Sequence, residues 1–148
     1  MTERRGNIYK ICRNNAGLTQ EQASEKLHIA LRTLSSYENG ETPVNDKMVA
    51  AMVELYKSPL LAWRHLKETS ELGKYLPEVI MPQTNGDMAF QMILAQDDLK
   101  PVVDEIKRIM SDGKVGDDEM AAFDESIEMV KQVNAKLLSV IIYAGRKA

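Results

Sequence analysis

The sequence predicts an all-α protein, and three observations predict it. Apolar residues recur at helical spacing through most of the chain, Ser, Thr, Asn and Gly stand where helices should begin and end, and no stretch alternates apolar and polar residues as a half-buried strand would. No internal repeat is visible.

The 148 residues are 44% hydrophobic and 28% charged, the balance of a soluble globular chain with room for one domain or two small ones. Aromatics are sparse and Met is common, which suits helical cores of flexible side chains. No apolar run approaches the ~18 residues that span a bilayer. The opening Met-Thr-Glu-Arg-Arg leads into no hydrophobic segment, and the single Cys12 can form no disulfide within the chain. The expectation is a cytoplasmic protein with no membrane attachment.

The elements follow in order. Ile8, Cys12 and Ala16 share one face of a first helix that stops at Gly17. Thr19-Gln20-Glu21-Gln22 reads as a capping box, starting a second helix that runs to about Leu27 with Ala23 and Leu27 inward. Only His28-Ile29-Ala30 separates it from a third helix that ends at Asn39-Gly40. Pro43 and Asn45 open a fourth, with Met48, Met52 and Leu55 on one face. Ser58-Pro59, an N-cap and a first-turn proline, opens a fifth through Trp63 and Leu66.

Residues 71–86 hold two prolines, two glycines and no clean period, and predict a linker that packs through Leu76, Val79, Ile80 and Met81. A long helix is expected from about Asp87 to Ser111, kinked or broken near Asp98 by Pro101. Gly113 to Gly116 turns the chain into a last helix, about Asp117 to Ala144, with Asp117 as its N-cap. In that helix Met120, Phe123, Ile127, Val130, Asn134, Leu137 and Ile141 form an unbroken heptad seam, and the polar Asn134 would set register and partner number. Val133, Leu138 and Val140 widen the stripe, while Leu99, Val102, Val103, Ile106 and Ile109 serve the facing helix. Two such hairpins would make a dimeric bundle; a monomeric hairpin folded on the N-terminal half is the other arrangement.

Three short helices within residues 5–39, the second and third joined by a tight turn, are built to grip a duplex, since the major groove is about 12 Å wide and admits one helix. Leu18-Thr19-Gln20-Glu21-Gln22-Ala23, then Lys26-Leu27, then Arg32-Thr33-Leu34-Ser35-Ser36-Tyr37-Glu38-Asn39-Gly40 resembles the Cro/CI-type (phage repressor) helix-turn-helix family over residues 6–66. The resemblance implies a five-helix, lambda-repressor-like DNA-binding domain with its recognition helix at about residues 30–39. It implies that Gln20 meets a phosphate, that Ala30, Leu31, Arg32 and Ser36 face base edges, and that Thr33 and Asn39 meet the backbone. Arg32 is the best base reader, because a guanidinium can bond guanine O6 and N7 together. Leu34 and Tyr37 would pack inward. Glu38 would pair with Arg13 late in the first helix and pin the recognition helix.

Charge permits this reading without arguing for it. Residues 1–70 carry ten Lys/Arg against eight Asp/Glu, and residues 71–148 nine against fourteen, so the net −3 divides into +2 and −5. The segment after Gly40, Glu41-Thr42-Pro43-Val44, lacks the basic residues relatives often carry. A domain with so few cations should need a second copy to bind usefully.

Other chemistries find little support. Asp112-Gly113-Lys114-Val115 with Glu119 echoes the end of a calcium loop, but Arg108 and Met110 would fill ligand positions. His28, His65 and Cys12 compose no zinc site, and no phosphate loop or nucleophile elbow is present, so neither metal, cofactor nor enzyme activity is expected. The predicted organisation is 1–70 as the helix-turn-helix domain, 71–86 as linker and 87–148 as a hairpin that dimerises or binds an effector. The expected function is a repressor-like regulator on double-stranded DNA, a homodimer on a palindromic operator, of the kind that controls prophages. Two rivals remain: an antitoxin whose hairpin grips a toxin, and an adaptor whose helix-turn-helix no longer binds DNA.

Overall fold

The protein is described by a computed structural model over residues 7–145. Residues 1–6 and 146–148, the outer ends of the segments 1–70 and 87–148, lie outside the described residues. The helices are α1 (Asn7–Asn15), α2 (Gln20–Lys26), α3 (Leu31–Glu38), α4 (Asp46–Tyr56), α5 (Pro59–Thr69), α6 (Asn85–Ile109) and α7 (Met120–Ala144). Short 3₁₀ turns cover Glu71–Tyr75 and Met110–Asp112, and no strand occurs among the described residues. Contacts divide the chain between Leu76 and Pro77, inside the predicted linker, into two compact units.

In the first unit α1 to α5 enclose one core, with Ile8, Tyr9 and Cys12 of α1 meeting Ala23, Leu27, Leu34, Val49, Met52, Tyr56 and Leu61. The chain leaves α1 through Gly17 at φ +71°, a left-handed position suited to glycine. Asn45 caps α4 by accepting the Met48 amide at 2.9 Å. The buried row of α4 is Val49, Met52 and Tyr56, so the predicted row of Met48, Met52 and Leu55 is turned by one residue, with Met48 and Leu55 only half-buried. Ser58 precedes α5 but does not cap it; its hydroxyl is buried and points to Cys12 Sγ at 3.4 Å. Leu66 is exposed, and α5 buries Leu61 and His65 instead. His65 is tolerated in the core because both ring nitrogens are matched: Tyr9 Oη lies 2.8 Å from Nδ1 and Asp46 Oδ1 lies 3.1 Å from Nε2. With the proton on Nε2, that chain links α1, α5 and the first turn of α4.

The second unit is a hairpin. Its cross-helix bonds pair Asn85 with Tyr143, Asp98 with Lys136 and Arg108 with Glu119, so α6 and α7 run antiparallel. Thr84 and Asp87 form a capping box, Oγ1 accepting the Asp87 amide at 3.1 Å and Asp87 Oδ2 accepting the Thr84 amide at 2.9 Å. The helix thus begins two residues before the predicted Asp87. It also runs through Pro101 without the expected break near Asp98. A proline removes one amide donor, and packing on α7 along both sides of it holds the helix together. α7 starts three residues late, with Glu119 and not Asp117 before its first turn: Glu119 C=O accepts the Phe123 amide at 2.9 Å, and its carboxylate accepts the Gly116 amide at 3.2 Å.

The buried residues of α7 lie on two faces, Ser126 and Val133 on one and Ser139 and Ile142 on another. Ala95, Val102 and Ile109 of α6 are buried, as are Ser126, Val133, Ser139 and Ile142 of α7. The predicted seam of α7 lies one residue away from the buried Ser126–Val133 row, about 100° around the helix, although its Leu137 borders a groove beside α6. Met120, Val130, Asn134, Leu137 and Ile141 are exposed, and only Phe123 and Ile127 are half-buried. Leu99 and Val103, expected inside, are exposed too. The segment after Pro77 runs extended along the hairpin: the Ile80 amide donates to Ser139 Oγ at 2.9 Å and Gln91 Nε2 donates to Ile80 C=O at 3.1 Å. Backbone bonds anchor it, so the Ile80 side chain, expected to pack, is 74% exposed while Val79 and Met81 are half-buried and Pro82 is buried. No described helix is long and apolar enough to cross a membrane.

Candidate DNA-binding surface

The geometry of α2, its turn and α3 starts from local rules. Thr19 Oγ1 accepts the Gln22 amide at 3.2 Å and Gln22 Oε1 accepts the Thr19 amide at 2.9 Å, the reciprocal box read from the sequence. At the other end the Ile29 amide reaches back to Ser24 C=O and the His28 amide to Glu25 C=O, at 3.0 and 3.1 Å. That double closure is a Schellman motif, and it places His28 at φ +54°, a left-handed position usually given to glycine. The chain reverses within three residues, and α3 starts at Leu31. Ala30 stands at its N-cap and supplies no side-chain bond.

Leu34, fully buried, fastens the inner face of α3 to the core, and Tyr37 packs half-buried beside it. The C-terminal end is held by charge. Arg13 Nε donates to Glu38 Oε1 at 2.6 Å and Nη2 to Oε2 at 3.0 Å, while Nη1 donates to Leu18 C=O at 2.7 Å. Gln20 Nε2 completes the cluster with a 2.8 Å bond to Glu38 Oε2. The two charged side chains are 7% and 1% exposed, so they are matched by each other and by their neighbours, not by water. The bond to Glu38 raises the Arg13 pKa above its ordinary value, which keeps the guanidinium charged.

The outer face of α3 carries the sequence-predicted residues. Ala30, Leu31, Arg32 and Asn39 are exposed, and Thr33 and Ser36 are half-buried. Arg32, Ser36 and Asn39 follow one another at helical spacing and share a row. Two members have partners within the chain: Ser36 Oγ lies 2.7 Å from Thr42 Oγ1, and Asn39 Nδ2 lies 3.5 Å from Ser35 Oγ, a contact at the limit of hydrogen bonding. Ser35 and Thr42 were not singled out by the sequence; a hydroxyl one turn from a candidate contact is a weak signal. Gln20 stands at the start of α2, half-buried and tied to Glu38. Beside it Glu21 is exposed, and hydrogen bonds from its own amide and from the Thr19 hydroxyl hold its carboxyl below the usual range. This end of α2 thus offers a dipole that attracts phosphate and one fixed negative charge that opposes it. No cluster of His, Cys, Asp or Glu among the described residues could hold a metal ion.

Residues 10–63 match the family model described as helix-turn-helix. That segment, α1 to the first half of α5, is similar to helix-turn-helix domains, which supports DNA binding by this part of the chain. The match ends within α5 and does not reach the C-terminal hairpin. No curated protein and no solved structure matches the chain.

Proposed function

We propose that the protein is a sequence-specific, repressor-type transcriptional regulator, acting in the cytoplasm, that reads double-stranded DNA with α3 as a homodimer on a two-fold operator. The observation that carries this reading is the buried Arg13–Glu38–Gln20 cluster, which ties the end of α3 to α1 and to the start of α2. A groove-reading helix must hold a fixed angle to the helix that crosses the backbone, and a matched buried ion pair supplies that rigidity.

On this reading Arg32 bonds a guanine edge, Ser36 a further base edge, and Ala30 and Leu31 touch thymine methyls. Thr33 and Asn39 meet the sugar-phosphate backbone. Gln20 has two amide N–H groups; one binds Glu38, and the other serves a phosphate. The domain's slight positive charge makes each half-site weak, so affinity comes from linking two copies through the C-terminal hairpin. The exposed members of the α7 seam, Val130, Leu137 and Ile141 among them, are the residues such a dimer would cover.

The test is recovery of genomic fragments retained by the full chain. The reading predicts a shared site with two inverted halves, their centres about 34 Å or one turn apart. Retained fragments with no common sequence would contradict it.

A further inference from the structure

The unit beyond Pro77 has two unlike flanks. One is crossed by the chain's own extended segment, through Ile80 with Ser139 and Gln91. The other is an open groove of about 540 Å³ between α6 and α7, lined on α6 by Met92, Leu99 and Val103 and on α7 by Val133 and Leu137. Such a flank, apolar and uncovered within its own unit, marks an interaction surface.

The charges beside the groove say what covers it. Asp97, Lys100, Asp104 and Lys107 are all exposed and stand at intervals of three, four and three residues, on one face of α6. Lys100, Asp104 and Lys107 border the groove itself. Their signs run minus, plus, minus, plus. Consider a two-fold axis across α6 at the height of Val102. Asp97 and Lys107 lie five residues to either side, and Lys100 and Asp104 two residues to either side. The axis therefore sets each Lys100 opposite Asp104 of the second copy, and each Asp97 opposite Lys107. Four attractive pairs form and no like charges meet. A self-complementary surface of this kind is what an isologous contact requires.

We propose that this flank binds a second copy of the chain, α6 against α6 in antiparallel register about Val102, with Leu99 and Val103 in the seam. The proposal rests on the reading of the protein as a homodimer, and it moves the contact from the α7 seam to the α6 flank, where Leu137 of that seam borders the groove.

Two charge variants of the full chain test it. Lys100→Asp with Lys107→Asp makes the row wholly acidic, and Asp97→Lys with Asp104→Lys makes it wholly basic. Each alone should sediment as a monomer at concentrations where the native chain is a dimer. Their equimolar mixture should dimerise again, as heterodimers by native mass spectrometry. If both variants dimerise as tightly as the native chain, the register is wrong while the dimer reading stands. If the native chain is monomeric, the dimer reading itself fails, and the proposal with it.

Should crowded like charges unfold α6, single cysteines decide. At 1.5 Å of rise per residue, two Val103 positions lie about 3 Å apart along the axis and two Ile93 positions about 27 Å. Oxidation should link Val103→Cys into a covalent dimer and leave Ile93→Cys unlinked. Equal linking of the two, or of neither, overturns the register.

Discussion

Arg13 and Glu38 stand 25 residues apart and meet through two parallel bonds, Nε to Oε1 at 2.6 Å and Nη2 to Oε2 at 3.0 Å, inside the core's edge. Removing one partner of such a pair strands the other charge out of water, at a cost of about 3–5 kcal/mol, whereas an exposed pair is worth under about 1 kcal/mol. Glu38→Gln should therefore lower the melting midpoint of the full chain by on the order of 10 °C or more. A midpoint unchanged within error would mean the pair is superficial.

His28 carries the left-handed turn between α2 and α3 at φ +54° without being a glycine. Its side chain is exposed, so little packing is lost on its removal. His28→Gly should raise stability by about 0.5–1 kcal/mol, read as a higher urea midpoint with an unchanged slope. A β-branched residue suits this conformation least, and His28→Val should move the midpoint the other way.

Burial pushes two core tyrosines, Tyr9 and Tyr56, up to a pKa of about 12 from the ordinary 10. A phenol whose folded pKa is raised holds its proton more tightly in the folded state. Its contribution is complete below pH 10 and is lost as the pH climbs through 12. Each tyrosine should cost about 2 kcal/mol across that window, so denaturant midpoints should be flat to about pH 10 and then fall. Tyr56 Oη is buried without a hydrogen-bond partner. Tyr56→Phe should thus be neutral or stabilising at pH 7 and should soften the alkaline loss. A midpoint for Tyr56→Phe that drops as steeply as that of the native chain would contradict this.

What was legible in the sequence was mostly what neighbours along the chain decide. The Thr19–Gln22 box, the stop at Gly17 and the tight turn at His28 each depend on a few adjacent residues, and each is present. The Thr84–Asp87 box obeys the same rule but was hidden, because its third residue is Asp and it follows a run read as linker. What depends on distant partners was harder. Nothing near Gln20 announces Glu38, and nothing near His65 announces Tyr9, 56 residues earlier. In α7 the apolar stripe is wide enough to hold two heptad rows offset by one residue. The helix alone could not tell which row meets α6, and the buried one includes Ser126, which hydrophobicity does not flag.

The central claim, that α3 reads sequence, is tested most directly by measuring the affinity of the native chain, Arg32→Ala and Gln20→Ala for a recovered operator and for random DNA at one fixed salt concentration. Losing a bidentate base contact costs about 1–3 kcal/mol and relaxes preference at one position. Arg32→Ala should therefore weaken operator binding about 5- to 150-fold per contact and leave random DNA nearly unaffected. Gln20→Ala should weaken both about equally. Native and variant chains that bind operator and random DNA alike would show that this surface does not read DNA, and would contradict the account.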